Sequence, residues 1–170
     1  MFKSKQRLYI AYGSNMNLEQ MARRCPTAKV VGATVLRNWR LVFFSVATIE
    51  PYKGGEVPVV VWELQPKDEE ALDIYEGYPR MYRKETVRVT LNGKQIRVMV
   101  YVMNNGHRYP PNPGYYNTIL EGYKSAGLDE KILRKAAKES ITAPRGAITT
   151  AIETIKPKER KQSKTEERKQ

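Results

Sequence analysis

The chain has 170 residues, enough for one domain with a sizeable core and too few for two ordinary ones. Its 30 Lys and Arg against 18 Asp and Glu give a formal charge of +12, yet it contains one His and one Cys. A closed structural zinc site, a His-Glu-x-x-His helix and an intrachain disulfide are therefore excluded, and in an enzyme without an unusual cofactor proton transfer would fall to a carboxylate. With Cys25 alone and no apolar leader after Met1, a reducing cytoplasm is the expected setting. No apolar run approaches the ~20 residues of a membrane span, so no membrane partner is expected.

In chain order, Leu8-Tyr9-Ile10-Ala11-Tyr12 reads as a buried strand that stops at Gly13-Ser14-Asn15. Asn17 has the character of an N-cap for a short helix with Leu18, Met21 and Ala22 on one face, closed by Cys25-Pro26. Val35–Phe44 and Val57–Leu64 are strand candidates, separated by a turn at Pro51-Tyr52-Lys53-Gly54-Gly55, with Pro58 marking a strand start or an edge. A helix is expected from Pro66, with an acidic first turn, an apolar face of Ala71, Leu72, Ile74 and Tyr75, and an end at Gly77 and Pro79. Lys84–Leu91 and Gln95–Met103 form a hairpin through Asn92-Gly93, a dipeptide suited to the positive φ angles of a tight turn.

Beyond the hairpin lies a loop, Asn104–Gly114, with three prolines and His107, then helices at Tyr115–Ala126 and Asp129–Ser140. Ala147–Ile155 is a candidate last strand. The final fifteen residues, 156–170, hold seven Lys and Arg against three Glu and almost no apolar side chain, so they are expected to be a disordered tail on a domain spanning 1–155. The tail carries +4 of the charge and leaves +8 on the body. No finger spacing, RNP-like run or aromatic-studded basic stretch turns that charge into a nucleic-acid module, and a Lys-rich solvated surface is the favoured reading.

Two places have the makings of chemistry. At Tyr12-Gly13-Ser14-Asn15 the chain leaves a strand and enters a helix, an arrangement in which backbone N–H groups converge on a carboxylate or phosphate. It is equally a turn that needs Gly13 for its angle and Asn15 for capping. Glu76 sits in the last turn of its helix, where the dipole disfavours a carboxylate, among Tyr75, Tyr78 and Tyr82, whose rings would desolvate it and raise its pKa. It is equally a surface glutamate paired with Arg80 or Arg83. Cys25 reads as a packed side chain, His107 as a solvated loop residue, and Arg23, Arg24, Arg80, Arg83 and Lys84 as surface charges, one of which has the chemistry to meet an anionic leaving group.

Taken together, Tyr12-Gly13-Ser14-Asn15, then Val60-Val61-Trp62-Glu63-Leu64 before Leu72-Asp73-x-x-Glu76-Gly77, then Pro113-x-x-Tyr116-x-x-Ile119-x-x-Gly122-x-x-x-x-Gly127-Leu128 resemble the gamma-glutamylcyclotransferase-like family over about residues 7 to 140. The resemblance implies an α+β fold, a small mixed β-barrel flanked by short helices with a cavity at one end. It implies an enzyme that releases 5-oxoproline and a free amine from a small γ-glutamyl amine or amino acid and uses no cofactor. Glu76 matches the catalytic glutamate, Tyr12, Gly13, Ser14 and Asn15 the loop that binds the glutamyl carboxylate, and Tyr101 and Tyr116 tyrosines near the pocket. Val57-Pro58-Val59 departs from the glycine favoured there in better-known members, and Tyr78-Pro79-Arg80-Met81-Tyr82 is a compact segment able to reshape the pocket. A non-catalytic barrel that binds an amino-acid-like ligand and a basic adaptor acting through its tail remain the rival readings.

Overall fold

The computed structural model describes residues 6–141, so the candidate strand at Ala147–Ile155 and the tail 156–170 lie outside the described residues. Five strands, β1 (Arg7–Ala11), β2 (Lys29–Phe44), β3 (Val46–Leu64), β4 (Tyr82–Leu91) and β5 (Lys94–Met103), form one mixed sheet in the order β2-β3-β1-β5-β4. Helices α1 (Leu18–Arg24), α2 (Pro66–Glu76), α3 (Pro113–Ser125) and α4 (131–141) flank it. The architecture is the α+β, barrel-like one that the resemblance implies. The sheet curls without closing. Thr34 Oγ1 donates to the Thr90 carbonyl across the seam, and Leu91 lies against Gly32, but no ladder joins β2 to β4 among the described residues.

The short strand β1 is the hub. It pairs antiparallel with β3 and meets β5 in parallel through Tyr9 and Met99, so it is covered on both edges. Its inner residues are consequently apolar, and Ile10, Val61 and Val100 on adjacent strands are fully buried. Each such side chain contributes roughly 1.5–3 kcal/mol of transfer free energy.

The connection between β2 and β3 differs from the sequence expectation. The strands turn at Ser45, with φ +60, and Pro51–Gly55 lies inside β3. Arg37 pairs with Glu56 and Trp39 with Pro51, so Asn38 alone faces the four residues 52–55. The turn-forming residues thus make a bulge in a strand rather than a link between strands. Asn38 and Gly54 take φ +65 and +79, and Asn38 Oδ1 accepts the Gly54 N–H at 3.1 Å, holding the bulge shut. The consequence is a bent hairpin. Val60 pairs with Ala11, whereas Ala47 packs against Gly13, two residues further along the same segment. A straight strand from Ala47 to Val60 would span about 40 Å, so β3 must double over and bring its beginning back across one end of the sheet. Pro58 lies past the last β1 pair, on a stretch with a neighbour on one side only.

Helix α2 starts where expected: Pro66 opens it, and Asp68 Oδ2 accepts the Gln65 N–H at 2.9 Å in a capping box. The buried Asp68 also takes the Thr27 hydroxyl, which fixes α2 to the chain leaving α1. The helix ends at Glu76 because Gly77 adopts φ +65. The Asn92-Gly93 hairpin forms as its sequence predicts, with φ +50 and +77. Helix α3 packs through Gly122 on the chain at Met16 and Asn17. A Cβ there would lie 2.9 Å from backbone and side-chain carbons of Met16 and 3.0 Å from Asn17 N. Gly122→Ala is therefore expected to lose about 1–3 kcal/mol of stability in denaturant unfolding; an unchanged midpoint would show that the two segments separate easily.

Candidate active site

At the end of β1 the chain enters Tyr12-Gly13-Ser14-Asn15, all of which border a cavity of about 190 Å³. Ser14–Met16 form one 3₁₀ turn whose first internal bonds are Met16 N–H to Gly13 O and Asn17 N–H to Ser14 O, both 3.0 Å. The Ser14 and Asn15 amides stand ahead of those bonds, at the positive end of the turn. Asn17, not Asn15, caps α1, with its Oδ1 accepting the Gln20 N–H at 3.0 Å. That leaves the Asn15 side chain for another task.

Glu76, delivered from the far end of α2, meets it. Asn15 Nδ2 donates to Glu76 Oε1 at 3.1 Å and to Tyr9 Oη at 3.0 Å, while its Oδ1 accepts from Arg24. The Arg24 guanidinium lies 3.5 Å over the Tyr75 ring and also donates to Gln20 Oε1 at 2.6 Å. Burial pushes the Glu76 carboxyl up to about 7; the Arg24 charge and the Asn15 hydrogen bond oppose that shift without cancelling it. A half-ionised carboxyl at neutral pH is what a general base requires.

The rest of the wall is aromatic. Tyr12 Oη donates to the Tyr101 carbonyl at 2.6 Å, Tyr101 Oη to Asp73 Oδ1 at 2.6 Å, and Tyr82 Oη to the Ala47 carbonyl at 2.8 Å. Tyr115 Oη instead accepts the Ala47 N–H at 2.9 Å, and its own proton has no acceptor among the described residues. Burial raises the phenols of Tyr9, Tyr12, Tyr82, Tyr101 and Tyr115, so all five remain protonated donors.

A family model described as gamma-glutamyl cyclotransferase, AIG2-like, matches residues 9–122. The chain belongs to that family. Among its relatives, proteins named gamma-glutamylcyclotransferase from Bos taurus and Homo sapiens are each 32% identical over 87% of this chain and 86% of their own length. A solved structure named gamma-glutamyl cyclotransferase is 27% identical, covers 95% of both chains and superposes with a TM-score of 0.69. An uncharacterized human protein, known from an ensemble-refined crystal structure, is 32% identical over 77% of this chain and 86% of its own, with a TM-score of 0.68. Membership makes the chain an enzyme of the gamma-glutamylcyclotransferase type.

The structure brings Tyr12, Gly13, Ser14, Asn15, Glu76 and Tyr101 around this one cavity. It places Tyr116 elsewhere. One residue further along α3 turns the side chain by about 100°, and its ring packs against Phe43, with ring centroids 6.4 Å apart, outside the cavity lining. Tyr115 occupies the wall instead. Tyr75 and Tyr82 border Glu76 as their positions suggest, but Tyr78 lies under Lys84 Nζ, away from the cavity. The cation beside Glu76 is neither Arg80 nor Arg83: Arg83 pairs with Glu85, and Arg24, read as a surface charge, does the work. The signal available for Arg24 was its place at the end of a seven-residue helix that begins at the loop itself. Tyr9, Ala47 and Val46 are also wall residues that sequence reading missed. Cys25 is buried, and burial raises its thiol to about 11, so it is a packed side chain.

Because the folded pKa of Glu76 exceeds its ordinary 4.5, the carboxyl favours folding at low pH and loses that favour as pH rises through about 7. Glu76→Gln should accordingly match the parent in Tm near about pH 4 and exceed it near about pH 8. Equal melting at both would show that Glu76 is solvated.

Proposed function

We propose that the enzyme converts a γ-glutamyl amine or γ-glutamyl amino acid into 5-oxoproline and a free amine, with Glu76 as general base. The carrying observation is a carboxyl raised to about 7 and hydrogen-bonded to Asn15, with the loop Tyr12–Asn15 bordering the same small cavity. The names of the relatives support the reaction type.

The substrate α-amine is largely ammonium at neutral pH and becomes a nucleophile when Glu76 accepts its proton. The Ser14 and Asn15 amides, with Tyr12 and Gly13 shaping the loop, hold the α-carboxylate so that the amine faces Glu76. The amine attacks the γ-carbon of its own chain, forming the lactam C–N bond. Curling the glutamyl chain in a tight cavity makes the reaction one of proximity, worth up to ~7 kcal/mol or more in well-oriented systems. Collapse of the tetrahedral intermediate breaks the γ-carbon bond to the leaving nitrogen, which takes the proton from Glu76, and the carboxylate so restored accepts the second proton of the ring nitrogen. The Tyr115 hydroxyl, whose proton is uncommitted, stands at the wall as donor to the oxyanion. Tyr101 serves by its ring, since its hydroxyl is spent on Asp73. Residues 1–155 would form the catalytic domain, and the matched span 9–122 falls within it.

Mass-spectrometric detection of 5-oxoproline from a panel of γ-glutamyl amino acids and amines tests the reading. Glu76→Gln should reduce kcat/KM by about 10²-fold or more, and near-normal turnover in that variant would remove Glu76 from the mechanism. In the parent enzyme kcat/KM should climb as pH rises through about 7, as the base ionises; a flat profile across that range would exclude a carboxyl of this pKa as the base.

A further inference from the structure

A second cavity, of about 480 Å³, adjoins the first. Met81 lines both, and two chain segments pass from one to the other: Phe44 and Ser45 border the second cavity while Val46 and Ala47 border the first, and Arg80 precedes Met81 in the same way. The second cavity therefore adjoins the first on the side formed by Val46, Ala47 and Met81. Its floor is apolar, made by Phe44, Met81, Met103 and Tyr109, and two of these, Met81 and Tyr109, are 50% and 59% exposed. Arg80 and His107 stand at its border, and the Arg80 guanidinium has no ion pair among the described residues.

This floor is built rather than loose. Tyr109 N–H donates to the Phe43 carbonyl at 3.1 Å and Ser45 N–H to the Tyr109 carbonyl at 3.0 Å, fastening the 104–112 loop to the tip of the β2–β3 hairpin. Asn104 Nδ2 donates to the Pro79 and Arg80 carbonyls at 2.8 and 2.9 Å, and the Asn104 N–H to the Met81 carbonyl at 3.0 Å, which fixes the segment that carries Arg80. Gly106 lies directly on the floor, where a Cβ would come 2.6 Å from the Phe44 ring.

We propose that this second cavity is the leaving-group subsite, and that it selects an α-amino acid with a large apolar side chain, resting on Phe44, Met81 and Tyr109 with its carboxylate facing Arg80. The inference rests on the reaction read above and deepens it by naming the amine that departs. A polyamine would bring a second cation to Arg80, and a lysine joined through its ε-amine would bring its α-ammonium along with its carboxylate. A small residue such as alanine would fill little of it. One missing methylene in an apolar pocket costs about tenfold in discrimination, whereas an ion pair open to water contributes a few-fold.

The test is steady-state 5-oxoproline release by the full chain from γ-glutamyl-phenylalanine, γ-glutamyl-alanine, γ-glutamyl-phenethylamine and γ-glutamyl-ε-lysine. The phenylalanine compound is expected to exceed the alanine compound in kcat/KM by about tenfold or more and the phenethylamine compound, which lacks the carboxylate, by about threefold to fivefold. Arg80→Ala should bring the latter ratio close to one, and Tyr109→Ala should shrink the former. Equal turnover of phenylalanine and alanine compounds, or a carboxylate preference that survives Arg80→Ala, overturns the subsite while leaving the reaction intact. A protein that releases 5-oxoproline from none of the four overturns the underlying reaction, and the subsite with it.

Discussion

One carboxamide organises the site. Asn15 has two N–H donors and one carbonyl, and all are engaged: the donors by Glu76 and Tyr9, the oxygen by Arg24. With three partners around it, the amide plane has one orientation that satisfies all of them, since turning it over would set an N–H against a guanidinium and an oxygen against a carboxylate. Through that plane the end of β1, the end of α1 and the end of α2 are held in one register. The glutamate is placed by the strand-end loop as much as by its own helix.

The same arrangement sets how strongly Glu76 holds a proton. Its position at the C-terminal end of α2 and the surrounding rings favour the neutral acid, while Arg24 and the Asn15 N–H favour the ion. If burial acted alone the group would remain protonated and could accept nothing; if the cation acted alone it would be too weak a base. Arg24 stacks on Tyr75 and reaches Glu76 through Asn15, so its charge is felt without a direct ion pair that would lock the carboxylate. The balance leaves a carboxyl that is neither fixed as the acid nor locked as the ion.

Much of this was legible in the sequence where local chemistry dictates structure. Asn92-Gly93, the Pro66 start and Gly77 stop of α2, and the Asn17 cap each have a backbone demand that few residues satisfy, and each appears where its residues put it. The errors arose where geometry is set at a distance. Pro51–Gly55 has every mark of a connecting turn, but a bulge uses the same residues, and the choice is made by pairing of the flanking segments. Tyr115 and Tyr116 are adjacent and chemically alike, so only the rotation of α3, fixed by Gly122 on Met16, decides which of them faces the cavity. Arg24 was overlooked because its value lies in the approach of α2, which no spacing within α1 reveals.

The bulge also explains why so many site residues come from one end of the sheet. Since β1 and β5 run parallel, Tyr12–Asn15 and Tyr101–Met103 emerge on the same side, and β4, antiparallel to β5, begins there with Tyr82. The antiparallel β3 ends at β1's start, so without a bend its first residues would project far past the end of β1. Doubling over at residues 52–55 returns Val46 and Ala47 to the cavity, where Met103 N–H finds Thr48 Oγ1 at 3.0 Å and Ala47 binds both Tyr82 and Tyr115. The hairpin tip thereby becomes a wall shared by two cavities, and a change of length in the bulge would shift that wall, including Ala47 where it meets Gly13, while Glu76 stays on α2. The hairpin and the 104–112 loop therefore form one side of the cavity, while Glu76 and Asn15 are held on the other by α2 and the end of β1.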